Sequence, residues 1–182
     1  MPRLHLIRHG KAAAGWGDDP DPGLNDLGRS QARAMAAAVG PRGPLALLVS
    51  PLKRTRETAA PLEALWGRPG LVEPAVAEIL SPSLDLAARR AWLDGVMARR
   101  WRDVGADLIG WRQAVLGRLL GIEADTAVVS HFVAINVAVG AALGDDRVVC
   151  FRPDNCSETV LEIEGGRLSL VSLGREAETE VR

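Results

Sequence analysis

The run Leu4-His5-Leu6-Ile7 ends abruptly in Arg8-His9-Gly10. An apolar run this short suits a buried strand, because a helix would need further turns to bury a face. The glycine that follows relaxes the steric limits on the backbone. In open α/β sheets ligands bind at the carboxyl ends of the strands. The Arg-His pair suits phosphate there: a guanidinium offers a planar fork of donors, and a neutral imidazole offers a nitrogen nucleophile. Alone, such a tripeptide reads equally well as a surface strand end, so its meaning depends on partners supplied by the rest of the chain.

Those partners come at similar positions along the chain. Lys11 to Gly23 is a Gly-, Asp- and Pro-rich loop whose one large apolar residue, Trp16, is expected either to close over a ligand or to tuck against the surface. Asn25 or Asp26 caps a helix that runs to Gly40. A second strand, Leu45 to Val49, meets Ser50-Pro51, with Ser50 expected to cap the next helix. Of Lys53, Arg54 and Arg56 at most two can face a site, and Lys53 is read as solvated. Glu78, between Ala77 and Ile79, is either an ordinary exposed carboxylate or one whose pKa is raised by desolvation, which suits a general acid.

From Ser83 two helical patterns follow, Leu84 to Met97 and Asp107 to Leu120, forming a crossover or a small cap. Trp92, Trp101 and Trp111 are read as core or helix-interface residues. A third strand, Ala124 to Ser130, runs into His131 and a buried helix over Phe132 to Leu143. His131 thus stands where helix N–H groups and the macrodipole favour an anion. Arg147 to Phe151, Glu158 to Glu164 and Arg167 to Leu173 read as strands, the last two joined as a hairpin through Gly165-Gly166. The charged tail from Arg175 is expected to fray.

With 22 basic and 23 acidic residues the net charge is −1, which argues against nucleic-acid or membrane partners and makes any cationic pocket a local device. The length of 182 residues fits a single domain over 1–182. No stretch reads as a signal peptide or a membrane span, so a cytoplasmic location is expected. Cys150 and Cys156 read as small buried thiols rather than a disulfide. His5, His9 and His131 lack a fourth zinc partner, so no metal is expected, and His5 is read as a packing residue.

Leu-Ile-Arg-His-Gly at 6–10, Leu-Asn-Asp-Leu-Gly-Arg-Ser-Gln-Ala at 24–32, Ser-Pro-Leu-Lys-Arg-Thr-Arg-Glu-Thr-Ala at 50–59 and Val-Val-Ser-His at 128–131 together resemble the histidine phosphatase (phosphoglycerate mutase-like) superfamily. The resemblance implies an α/β fold: a three-layer α/β/α sandwich with a mostly parallel central sheet and a small helical insertion, about 83–121, near the site. It implies phosphomonoester hydrolysis through a phosphohistidine on His9, with Arg8, Arg54 and His131 holding the phosphoryl oxygens and Glu78 as acid and base. No cofactor is implied, and the expected substrate is a small phosphorylated metabolite. Lys11-Ala12-Ala13 stands where many members have Ser or Thr and then Asn, which argues against tight phosphoglycerate handling and mutase activity. Phe132 stands where the family often has Gly and is expected to crowd one wall. The opening also resembles the small phosphohistidine-protein phosphatases. A phosphoprotein substrate, or a non-catalytic phosphate-binding module, therefore remains open at this level.

Overall fold

The computed structural model describes residues 1–15, 18–82 and 85–177. Trp16, the first two residues of the helical stretch at 83–84, and the tail beyond 177 lie outside the described residues. In chain order the elements are β1 (Arg3–Arg8), α1 (Asp26–Val39), β2 (Ala46–Val49), α2 (Lys53–Trp66), β3 (Leu71–Val72), α3 (Leu86–Met97), α4 (Ala106–Leu120), β4 (Thr126–Ser130), α5 (Phe132–Leu143), β5 (Glu158–Glu164) and β6 (Arg167–Ser172). The strands form one sheet ordered β3-β2-β4-β1-β5-β6. β3, β2, β4 and β1 run parallel, while β5 lies antiparallel to both β1 and β6.

Alternation along each strand separates two apolar layers. Leu4, Leu6, Leu48, Val128 and Leu161 pack with Trp101, Val115, Leu119, Val133 and Ile135. Ile7, Leu47, Val49, Ala127 and Val129 pack on the opposite face with Met35, Val39, Ala59 and Leu62 of α1 and α2. Asn25 supplies the α1 cap, its side chain accepting from Gly28 N at 2.8 Å. Gly165 and Gly166, with φ of 56° and 75°, make the tight β5–β6 turn, which needs left-handed backbone at both positions.

The helical stretch expected as an insertion serves two purposes. α4 joins the core layer through Val115 and Leu119 and α3 through Leu93 and Val96, while Arg89, Leu93 and Met97 of α3 also line a cleft. Arg147 to Phe151 is not a strand: only Arg147 makes an isolated bridge, to Arg100. Val148 N donates to Arg99 O (3.0 Å), and the fully buried Asn136 of α5 takes the end of the stretch, its Oδ1 accepting from Cys150 N (2.8 Å) and Phe151 N (3.1 Å). Cys150 and Cys156 are free, as expected, but half-buried. His5 is packed at 7% exposure and also bonds Glu158 Oε1 at 2.7 Å, where Arg42 meets the same carboxylate.

Candidate active site

Parallel pairing sets β1, β2 and β4 level, with Arg8 opposite Ser130 and Val49 opposite Val129. Their carboxyl ends therefore present His9, Ser50 and His131 along one edge. The edge is tied by His9 N to Ser130 O (3.0 Å) and Ser50 N to Val129 O (3.1 Å). Arg8, His9, Arg54, Glu78 and His131 are all buried and gather there.

The His9 ring is held by its own turn: Nδ1 lies 2.8 Å from Gly10 O. A carbonyl only accepts, so Nδ1 carries the proton and the Nε2 lone pair is left for chemistry. Arg54 Nε donates to that Nε2 at 3.2 Å. Burial, with Arg54 and Arg8 adding to it, pushes the His9 pKa well below 6.5, so the ring is neutral.

His131 is fully buried behind Arg54. Its Nδ1 lies 3.2 Å from Arg54 Nη2 and its Nε2 lies 2.7 Å from Ser50 Oγ. Its ring centroid is 5.2 Å from that of His9. Burial and then Arg54, His9 and Arg8 push its pKa well below 6.5 as well. Ser50 thus faces the second histidine. α2 begins at Lys53 with Leu52 in the cap position and no side-chain cap, contrary to the expected capping role of Ser50. Of the three cations after Ser50, only Arg54 is buried, while Lys53 and Arg56 are exposed.

Arg8 Nη1 donates to Pro153 O at 2.8 Å, and its guanidinium carbon stands 5.2 Å over the Phe132 ring. Phe132 lines the cleft, as expected of a wall, and is also a platform for this cation. Burial lowers the Arg8 pKa to about 10, so it remains charged at neutral pH. Arg8 Nε is buried with no protein partner, which leaves a donor for an anion.

Glu78 is 4% exposed. Its oxygens accept from Ile79 N (3.2 Å) and from Val133 N (3.0 Å) in the first turn of α5. The anion favoured by this helix terminus is therefore supplied by the protein itself. Burial raises the Glu78 pKa above 4.5, against the lowering pull of Val133 N, Ile79 N, Arg54 and Arg8.

The cleft, about 510 Å³, runs from Arg8, His9, Arg54 and Glu78 past Lys11 and Asp18 to Arg89, Leu93 and Met97 of α3. Its floor depends on two glycines. A Cβ on Gly10 would lie 2.7 Å from Gly28 O, and one on Gly28 would lie 2.2 Å from Lys11 O. Gly10 is thus required by close backbone approach, not by a left-handed φ, and Leu24 to Gly28 is the surface against which the His9 turn packs. Thr58 Oγ1 accepts from Gly10 N (3.0 Å) and donates to Arg54 O (2.7 Å), linking the two site turns. Asn155 Nδ2 donates to His9 O at 2.9 Å.

Ser50, Thr58 and Asn155 were not among the expected site residues. For Thr58 a weak signal exists, its position one helical turn after Arg54. For Asn155 there is none, since its partner lies 146 residues away in the chain. Among the described residues no group of three or more His, Cys, Asp or Glu is placed to hold a metal ion.

Residues 4–176 match the sequence profile of the Histidine phosphatase superfamily (branch 1). The chain is 32% identical over 120 residues to the glucosyl-3-phosphoglycerate phosphatase of Mycolicibacterium vanbaalenii, covering 58% of this chain and 52% of that protein. It is 43% identical over 82 residues to a PE-PGRS family protein of Mycobacterium tuberculosis, covering 42% of this chain and 14% of that one. The chain thus spans about half the length or less of these curated relatives. The structure of a mycobacterial glucosyl-3-phosphoglycerate phosphatase with VO3 superposes with a TM-score of 0.73 at 23% identity, covering 97% of this chain and 100% of that one. That of a phosphoserine phosphatase from Entamoeba histolytica with 3-phosphoglyceric acid superposes with a TM-score of 0.74 at 20% identity, covering 96% and 98%. At these identities the structures show a shared fold.

Proposed function

The chain belongs to the histidine phosphatase superfamily (branch 1), and on that premise we propose that it is a phosphomonoester hydrolase that works through a phosphohistidine on His9. One observation carries the reading: a buried neutral imidazole, with its proton fixed on Nδ1 by Gly10 O, turns its Nε2 lone pair toward Arg54.

In the first step Nε2 attacks phosphorus, the P–O bond to the leaving group breaks, and protonated Glu78 gives its proton to the departing oxygen. Arg8 and Arg54 hold the phosphoryl oxygens, and His131 completes the group that orients them. In the second step the Glu78 carboxylate takes a proton from water as that water attacks phosphorus. His9 is released neutral and phosphate leaves. The cations that offset phosphate charge in both steps come from the side chains of Arg8 and Arg54.

The substrate class we favour is a small phosphorylated molecule. α3 runs along one wall of a cleft whose volume, about 510 Å³, is that of a small-molecule pocket. The relatives named as enzymes, a glucosyl-3-phosphoglycerate phosphatase and a phosphoserine phosphatase, point the same way. A phosphoprotein substrate would call for a shallower mouth. Two free thiols suit a reducing compartment such as the cytoplasm.

The test is release of inorganic phosphate from an aryl phosphate by wild type and by His9→Ala, with trapping of ³²P on the protein. Loss of a covalent nucleophile is expected to cost about a thousandfold or more. Unchanged turnover in His9→Ala overturns the reading. Turnover without label on His9 moves the nucleophile elsewhere. Phosphate binding without turnover makes the chain a non-catalytic binding module.

A further inference from the structure

Ser50 closes β2 and is fully buried. Its Oγ lies 2.7 Å from His131 Nε2, while the other ring nitrogen, Nδ1, lies 3.2 Å from Arg54 Nη2. A guanidinium only donates, so Nδ1 accepts and the proton of the neutral ring sits on Nε2, donated to Ser50. Arg54 also donates its Nε to His9 Nε2 at 3.2 Å. The two histidine lone pairs thus converge on one guanidinium, in the space a phosphoryl group on His9 would enter. A phosphoryl oxygen is an acceptor, so the free-state Nδ1 would meet it lone pair to lone pair. To bond it, Nδ1 must gain a proton. A hydroxyl serves the ring in either state: it accepts from Nε2–H or, after rotation, donates to a bare Nε2.

We propose that Ser50 is a positioning residue for phosphoryl transfer, fixing the His131 ring with Nδ1 toward the cleft and letting that nitrogen change from acceptor of Arg54 to donor toward the phosphoryl group. The proposal rests on His9 being the residue phosphorylated. The proton gained at Nδ1 comes from solvent. When Nε2 releases its own proton to solvent the ring stays neutral and Ser50 turns to donate. When Nε2 keeps it the ring is an imidazolium and Ser50 goes on accepting. Alanine does neither, and threonine keeps the hydroxyl.

Long-range ¹H–¹⁵N NMR on the full chain, with inorganic phosphate as probe, reads the ring directly. In the free protein His131 is expected protonated at Nε2 and bare at Nδ1, and saturation with phosphate is expected to protonate Nδ1. In aryl phosphate turnover Ser50→Ala is expected to lower kcat/KM about ten- to a hundredfold, and Ser50→Thr to stay within about threefold of wild type. An Nδ1 that stays bare in the presence of saturating phosphate overturns the proposal. So does a fully active Ser50→Ala, or a folded Ser50→Thr as poor as the alanine variant. The NMR measurement needs no turnover, so absence of a His9 phosphohistidine sinks the hydrolase reading, whereas an Nδ1 that stays bare sinks the acceptor-to-donor change at His131 whether or not His9 is phosphorylated.

Discussion

Glu78→Gln separates what the carboxylate does for the reaction from what it does to the fold. The two oxygens accept from Ile79 N at 3.2 Å and Val133 N at 3.0 Å. Glutamine keeps one carbonyl oxygen for one of these donors and turns an NH2 toward the other, a loss of about 0.5–1.5 kcal/mol for one hydrogen bond. Against that loss, the amide escapes the cost of burying a charge, the largest influence on Glu78. Because the folded pKa is raised above the ordinary 4.5, the contribution of Glu78 to stability is intact below that value and is lost as pH rises through the folded pKa. The amide has no such loss. The melting temperature of Glu78→Gln is therefore expected to gain on wild type as pH rises from about 4 to about 7.5.

Turnover should move the opposite way. Losing a general acid costs about 10²–10⁴ in rate, or about 3–5 kcal/mol of barrier, when the leaving oxygen is a basic alkoxide. An aryl leaving group needs the proton less, so its rate should fall much less. The assay pairs kcat on an alkyl and an aryl phosphate with melting curves across that pH range. An alkyl phosphate hydrolysed as fast by the variant as by wild type would refute Glu78 as the acid. A melting deficit that is the same at every pH would refute the burial argument.

Other expectations follow from the same geometry. His9 and His131 are held well below 6.5, so kcat/KM should not lose its nucleophile between pH 7 and about 6, although a free imidazole is half protonated at about 6.5; a fall with a midpoint near 6.5 in the pH profile contradicts the burial of His9. The same depression means that the unfolded chain binds protons first as pH falls below 6.5, so the melting contribution of these two rings should shrink there, as calorimetry can check. Asn136→Ala removes the acceptor for Cys150 N and Phe151 N. Two stranded N–H groups correspond to about 2–4 kcal/mol, or roughly 5–15 °C in Tm, and a drop under about 2 °C contradicts this account. Gly28→Ala forces a Cβ to within 2.2 Å of Lys11 O. Neither backbone can give way, so about 1–3 kcal/mol of stability is expected to go together with activity, and a variant as active and stable as wild type would show that the His9 turn does not rest there.

Local sequence was enough to place the carboxyl ends of β1, β2 and β4 and the residues that stand there. Strand formation and the tight Gly165-Gly166 turn depend on neighbours within a few residues, so Arg8, His9, Arg54 and His131 were legible as groups delivered to one edge of a parallel sheet. Local pattern could not assign atoms that answer to partners far along the chain. The Ser50 hydroxyl suits a helix cap as well as an imidazole, and its partner lies 81 residues away. Arg147 to Phe151 has a strand's composition, yet its N–H groups go to scattered acceptors, Val148 N to Arg99 O and those of Cys150 and Phe151 to one amide on α5, so no ladder forms. Glu78 reads alike buried or exposed until α5 presents Val133 N to it across 55 residues. The nitrogen that His9 leaves for attack depended on Gly10 O accepting from Nδ1. Residue types at strand ends follow from local sterics and periodicity, whereas tautomers, burial and the direction of each lone pair exist only once distant segments share one desolvated space.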